Sequence, residues 1–193
     1  AQVRGMKYSD EIRLITTELA GTPELIQQML DGADRVYELA RELADQNDFI
    51  FLGRHVGFPV ALEGALKLKE IAYQHAEGFA AGELKHGPIA LISQDLPVFV
   101  VVPPKGRDQL RDKVISNIAE VKARGARTIV LAEGDDDEAA AVADTLIELP
   151  KISTLLQPMA AIIPLQLFAC ELATVKGHDV DQPRNLAKSV TVE

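Results

Sequence analysis

From Pro59 to Gln74 most positions are Ala, Leu, Ile, Val or Tyr, while Glu63, Lys67, Glu70 and Gln74 recur at i, i+4, i+7 and i+11. That spacing predicts one helix with a single polar stripe. A helix apolar around most of its circumference is a buried one, so its charged stripe must face either solvent or a pocket.

The same reading places the other elements. Ser9, with Asp10 and Glu11 behind it, opens a helix whose apolar side is Ile12, Leu14, Ile15 and Leu19 and which Gly21 is expected to stop. Thr22-Pro23 begins a second helix, carrying Leu25, Met29, Val36, Leu39, Ala40 and Leu43 and ending near Asn47-Asp48. Phe49 to Leu52 is a short apolar strand followed by a loop from Gly53 to Pro59, and His75 to Phe79 is a candidate strand beside it. Pro97 to Val102 is β-branched and uncharged, as a buried strand should be. A helix over 108–124, a strand at Thr128 to Leu131, an acidic loop from Glu133 to Glu138, an Ala-rich helix, a strand at Thr145 to Leu149 and an apolar helix from about Leu155 to Val175 complete the pattern.

Strands alternating with helices predict an α/β fold, a parallel sheet covered on both faces in three layers and preceded by two N-terminal helices. The chain divides accordingly into a helical arm (1–47) packing on the domain, the α/β domain (48–177) and a polar tail (178–193). Ligands of such sheets bind beyond the carboxyl ends of the strands, where chain direction across the sheet reverses. The loops 53–59 and 80–86 both emerge there, so the groups Glu63/Lys67/Glu70 and Glu83/Lys85/His86 are expected to share one site.

Composition narrows the function classes. The 193 residues are 47% hydrophobic, enough for a sizeable core, with a net charge of -9 and a pI near 5.0. That charge, the 5% aromatic content and the absence of Trp argue against a nucleic-acid partner. The apolar stretches are interrupted by Pro158, Pro164 and Glu171 and read as too short to span a bilayer, and no signal peptide opens the chain. Cys170, the sole cysteine, reads as packing in an apolar helix and cannot form an intramolecular disulfide, so a cytoplasmic protein is expected. The chain starts at Ala1, consistent with removal of an initiator methionine or with a piece of a longer polypeptide.

Glu70, beside Lys67 on an apolar helix, has the setting of a general base, although ordinary i,i+3 and i,i+4 surface pairing gives the same pattern. His86 stands either as a structural histidine at the Gly87-Pro88 turn or, with Glu83 and Lys85, as part of a functional loop. The tail holds Lys188 and reads as a loose end or as a lid over a site. There is no HExxH, no paired cysteine, no GxSxG and no Walker A sequence, so neither a metal nor a cofactor is expected.

Three segments together, Pro59 to Glu70, Ala81 to Pro88 and Asp179 to Glu193, resemble the C-terminal sugar-isomerase (SIS) subdomain of the glutamine:fructose-6-phosphate amidotransferase family. The resemblance runs over nearly the whole chain. It implies a five-stranded parallel sheet of flavodoxin-like order, and conversion of fructose 6-phosphate and glutamine-derived ammonia to glucosamine 6-phosphate. It further implies Glu70 as the base moving a proton between C1 and C2, and His86 as the ring-opening histidine, donated across a homodimer interface. Lys188 becomes the Schiff-base lysine, Lys67 a supporting proton or charge group, and Glu63, Ala187 and Ser189 substrate contacts. The family's Ser/Thr-rich phosphate loop and glutaminase half have no counterpart here: Arg54-His55-Val56 follows Gly53, and Cys170 does not match the family's nucleophile. The chain is therefore expected to be about a third of such an enzyme, lacking the glutaminase domain and the first SIS subdomain. A non-catalytic sugar-phosphate-binding SIS module and a stand-alone phosphosugar isomerase are the alternatives.

Overall fold

The computed structural model describes residues 2–106 and 110–186. Its centre is a five-stranded, wholly parallel sheet formed by β1 (Asp48–Gly53), β2 (His75–Ala80), β3 (Pro97–Val101), β4 (Arg127–Glu133) and β5 (Thr145–Leu149) in the order β2-β1-β3-β4-β5. All five strands anticipated from the sequence are present, and β2 pairs with β1 from Asp48↔His75 to Gly53↔Ala80.

Because successive strand residues face opposite ways, the apolar strands feed two cores. Phe49, Phe51, Phe99, Ile129 and Leu131 face α2 (Asp34–Glu42), α3 (Gly57–Ile71) and α6 (Gln157–Val175). Ile50, Leu52, Val98, Val100 and Val130 face Val114, Ile118 and Val121 of α4 (Arg111–Lys122) and Ala139 of α5 (Asp137–Val142). Phe99 knits the first core, stacking on Phe51 and tilting onto Phe168 at 4.8 Å between centroids in each case.

The N-terminal helices depart from expectation. Helix α1 (Ser9–Asp31) runs straight through Gly21 and Pro23 and ends at Gly32. Pro23 has no N–H for the Leu19 carbonyl, and the hydroxyl of Thr22, itself 1% exposed, donates to that carbonyl instead. The Thr22 side chain thus offsets the lost hydrogen bond, one part of the cost that makes proline read as a boundary. At the start of α1, Glu11 reaches back to accept the Tyr8 N–H at 2.8 Å, so capping begins one residue before Ser9.

Helix α6 also departs. It spans 19 residues through Pro164 and is long and apolar enough by length and composition to cross a membrane, contrary to the sequence reading. Here it packs against α2 and α3, its inner face supplying Leu165, Phe168 and Leu172 to the core. Cys170 is exposed on the outer side with Gln166 and Thr174. In a helix apolar on most sides, sequence does not mark which side faces out.

Helix α3 crosses α6 closely because Gly64 stands at the contact, where a Cβ would lie 2.7 Å from Leu165 Cδ1 and 3.0 Å from the Phe51 ring. Both helices run antiparallel to the strands on the same face, so their carboxyl ends lie together at the amino edge of the sheet. That geometry decides where the tail emerges.

Candidate functional site

The candidate residues singled out in the sequence fall on two opposite edges of the sheet. At the carboxyl edge, Gly53 makes the turn from β1 into α3, a turn so tight that a Cβ there would fall 2.1 Å from the Gly57 carbonyl oxygen. The Ala81 N–H donates to the Gly53 carbonyl at 2.9 Å and ties the chain leaving β2 to this turn. Leu84, fully buried, then anchors a short 3-10 turn (Leu84–His86) that leaves Glu83, Lys85 and His86 exposed. Arg54 braces this loop, its guanidinium lying over Gly82 and its Nε donating to Asn117 Oδ1 at 3.1 Å.

Among the described residues at this edge, Arg111, Asp136 and Glu138 are spent on one another. Arg111, 5% exposed, donates from Nε to Asp136 Oδ2 at 3.0 Å and from Nη1 to Glu138 at 2.6 Å, with a further Nη2 bond to Asp136. The hydrogen bond to Asp136 raises the Arg111 pKa further, so this guanidinium is permanently charged. Burial alone would push the Asp136 carboxyl up, but hydrogen bonds from Arg111 and the Ala139 N–H outweigh it and hold the group below the ordinary aspartate range.

At the amino edge the arrangement is open. Glu70, one residue from the end of α3, lines a cleft of about 420 Å³ with Lys69, Tyr73, Gln74 and His75 on one side and Arg184, Asn185 and Leu186 of the tail on the other. Lys67 donates to Glu70 Oε2 at 2.5 Å and lies 3.4 Å from Glu63 Oε1, so the stripe is a carboxylate–ammonium–carboxylate row. Chiefly through its hydrogen bond to Glu70, and against partial burial, the Lys67 pKa is raised, and the ammonium keeps its proton well above neutral pH. On the neighbouring stripe of α3, Leu62 and Leu66 are 44% and 41% exposed.

The described part of the tail, residues 178–186, is docked and not loose. After α6 ends, Val180 packs against the core, and Asp179 Oδ1 accepts the N–H groups of Asp181 and Gln182 at 2.9 and 3.1 Å, closing a turn. This returns the chain to Tyr73. Ala187, Lys188 and Ser189 lie outside the described residues.

The structure therefore corrects the expectation of one shared crevice. Glu70 precedes β2 and His86 follows it, so the length of a six-residue strand, roughly 17 Å, separates their edges. Glu63, Lys67, Glu70 and the start of the tail come together; His86 does not join them within one chain. A larger hollow of about 470 Å³ between α1, α2, β5 and α6 is mainly apolar, and its Arg35 is already paired with Glu38 and Glu42. Among the described residues no cluster of three metal-ligating side chains occurs.

The SIS domain model matches residues 42–176, well over half of the chain. The chain belongs to the SIS domain family. It is 64% identical over 193 residues to the glutamine–fructose-6-phosphate aminotransferase (isomerizing) of Streptomyces coelicolor, covering all of this chain and 31% of that protein. Identity to the enzyme of the same name from Corynebacterium glutamicum is 59% over 194 residues, with the same coverage. The chain thus spans about a third of the length of the curated relatives it matches. Among solved structures, the C-terminal domain of glucosamine-fructose-6-phosphate aminotransferase from Francisella tularensis superposes with a TM-score of 0.88 at 38% identity, covering 95% of this chain and 51% of that one.

Two residues at the cleft escaped the sequence reading. Tyr73 lies three residues after Glu70, a helical spacing that signals a shared face, but its neighbours alone do not show that it meets the tail. Arg184 carried no signal beyond being the one cation of the stretch 177–187.

Proposed function

We propose that this chain is the last third of an isomerising glutamine–fructose-6-phosphate aminotransferase, a cytoplasmic homodimer whose preceding glutaminase domain and first SIS subdomain lie in the same polypeptide. The observation that carries the reading is the convergence of Glu70 and the C-terminal tail on one cleft. The sequence runs from Leu186 to Lys188 in two residues, at most about 7 Å of chain. A tail lysine within reach of a carboxylate base is what the reaction requires.

In this reading the Lys188 amine adds to the C2 carbonyl of open-chain fructose 6-phosphate and water leaves, giving a Schiff base. Ammonia then displaces the lysine. The Glu70 carboxylate removes a proton from C1 of the resulting imine and returns one to C2, while the C1 hydroxyl proton passes to the nitrogen, leaving the C1 aldehyde and C2 amine of glucosamine 6-phosphate. Lys67 remains an ammonium and balances the carboxylates of Glu63 and Glu70. Glu63, Ala187 and Ser189 contact the sugar, and the phosphate is gripped mainly by the preceding SIS subdomain.

His86 supplies the proton for ring opening from the second copy of the dimer. Its distance from Glu70 within one chain supports that assignment, and the exposed Leu62 and Leu66 beside the charged stripe offer apolar surface for a subunit contact. In the longer polypeptide, Lys188→Ala abolishes glucosamine 6-phosphate formation and leaves the melting temperature unchanged. Full turnover by that variant would refute the assignment.

A further inference from the structure

Tyr73 stands in a backbone conformation unusual for a bulky residue, with φ at +55°, at the join between α3 and β2. The conformation turns the chain so that the Gln74 N–H returns to the Leu68 carbonyl at 3.2 Å. Glycine would adopt it freely, yet the position holds an aromatic whose polar and apolar parts are all engaged by the tail. The phenol oxygen accepts the Arg184 N–H at 2.8 Å. The Arg184 guanidinium carbon lies 4.1 Å above the ring centroid. His178 tilts against the ring at 4.7 Å between centroids.

We propose that Tyr73 is a positioning residue that latches the C-terminal tail beside Glu70 and so sets the starting point from which the segment carrying Lys188 approaches the substrate. The proposal rests on the function given above for Lys188. Two contacts at Arg184, one to its backbone and one to its side chain, fix both the place and the direction of the chain at the cleft. The ring supplies most of the hold, because the phenol bond involves a single exposed peptide group. Tyr73 touches no substrate in this scheme; it acts through the tail.

The test uses the full-length polypeptide with Tyr73→Leu, Tyr73→Phe, Arg184→Met and the Tyr73→Leu/Arg184→Met pair. Tyr73→Leu lowers kcat for fructose 6-phosphate by about 10-fold or more, as small displacements of reacting groups do. Cyanoborohydride trapping of the Lys188–ketose adduct slows in proportion, and glutamine hydrolysis proceeds at its normal rate. Tyr73→Phe keeps the ring and loses no more than about fivefold. Arg184 is exposed, so Arg184→Met leaves folding intact and reproduces the loss, and the double variant is no worse than the more affected single.

Full kcat and full trapping rates in Tyr73→Leu and Arg184→Met would overturn the latch, as would losses that multiply in the pair. Lys188→Ala, run alongside, separates the two claims. If it retains turnover, the proposed function fails; if it abolishes turnover while the Tyr73 and Arg184 variants remain fully active, only the latch fails.

Discussion

The two edges of the sheet use charge in opposite ways. At the carboxyl edge Arg111, Asp136 and Glu138 satisfy one another, and Arg54 is spent on bracing a loop. At the amino edge Glu63, Lys67 and Glu70 form a half-exposed row ending in a cleft of about 420 Å³. In an open α/β sheet the carboxyl edge is where a ligand is expected. This chain holds at that edge a self-paired structural network and the exposed His55 and His86, and keeps the Glu63/Lys67/Glu70 row and the start of the tail at the other. The contrast teaches that edge position alone does not identify a site; whether the polar groups are already satisfied does.

Substitutions on each edge sharpen the contrast, and the largest effect belongs to the amino edge. In the full-length polypeptide Glu70→Gln lowers synthase turnover by about 10³–10⁴-fold, as loss of a general base does, with the melting temperature unchanged. Steady-state assay beside a thermal melt checks both halves.

Asp136→Asn inverts that outcome. It removes the buried carboxylate facing Arg111 and leaves only the exposed Glu138 and Asp112 to balance the guanidinium, destabilising the fold by about 3 kcal/mol in denaturant titration. The pH dependence follows from the sign of the shift: Asp136 titrates below its ordinary range, so its contribution is present above about pH 4 and is lost as pH falls through the lower, folded value. The variant accordingly loses less stability on acidification than the parent.

A smaller effect is expected at the carboxyl-edge loop. His86→Asn slows turnover of ring-closed substrate by about 10²-fold and that of an open-chain analogue less. Equal losses on both would remove the ring-opening role.

Gly64→Ala probes what joins the edges, since it pushes α3 away from Leu165 and Phe51. An overpacked contact of this kind costs about 1–3 kcal/mol. Calorimetric melting measures it, and an unchanged midpoint would show that the α3–α6 contact yields easily.

Much of this architecture was legible in the chain. β-branched, uncharged runs such as Pro97 to Val102 announce buried strands, and the Glu63/Lys67/Glu70 spacing placed those three side chains on one stripe before any coordinates. Boundaries set by a side chain's partner were not legible. Gly21 followed by Thr22-Pro23 reads as a break between two helices until Thr22 is seen serving the Leu19 carbonyl. Helix α6 shows its exposed side, and Cys170 on it, only once α2 and α3 are packed against the other. The site was half legible for the same reason. Local spacing joins Glu70 to Lys67, but the separation of Glu70 from His86 follows from a helix running one way and a strand running back, and the contact between Tyr73 and Arg184 bridges 111 positions of sequence.

In the proposed dimer the two edges act together only across two copies of the chain. Mixing refolded or co-expressed full-length Glu70→Gln and His86→Asn polypeptides tests it directly. In a two-fold dimer whose sites each draw Glu70 from one copy and His86 from the other, random pairing restores about a quarter of the parental specific activity. Activity no greater than the average of the two variants alone would contradict the account, because it would mean that Glu70 and His86 serve the same site from one chain or serve no common site at all.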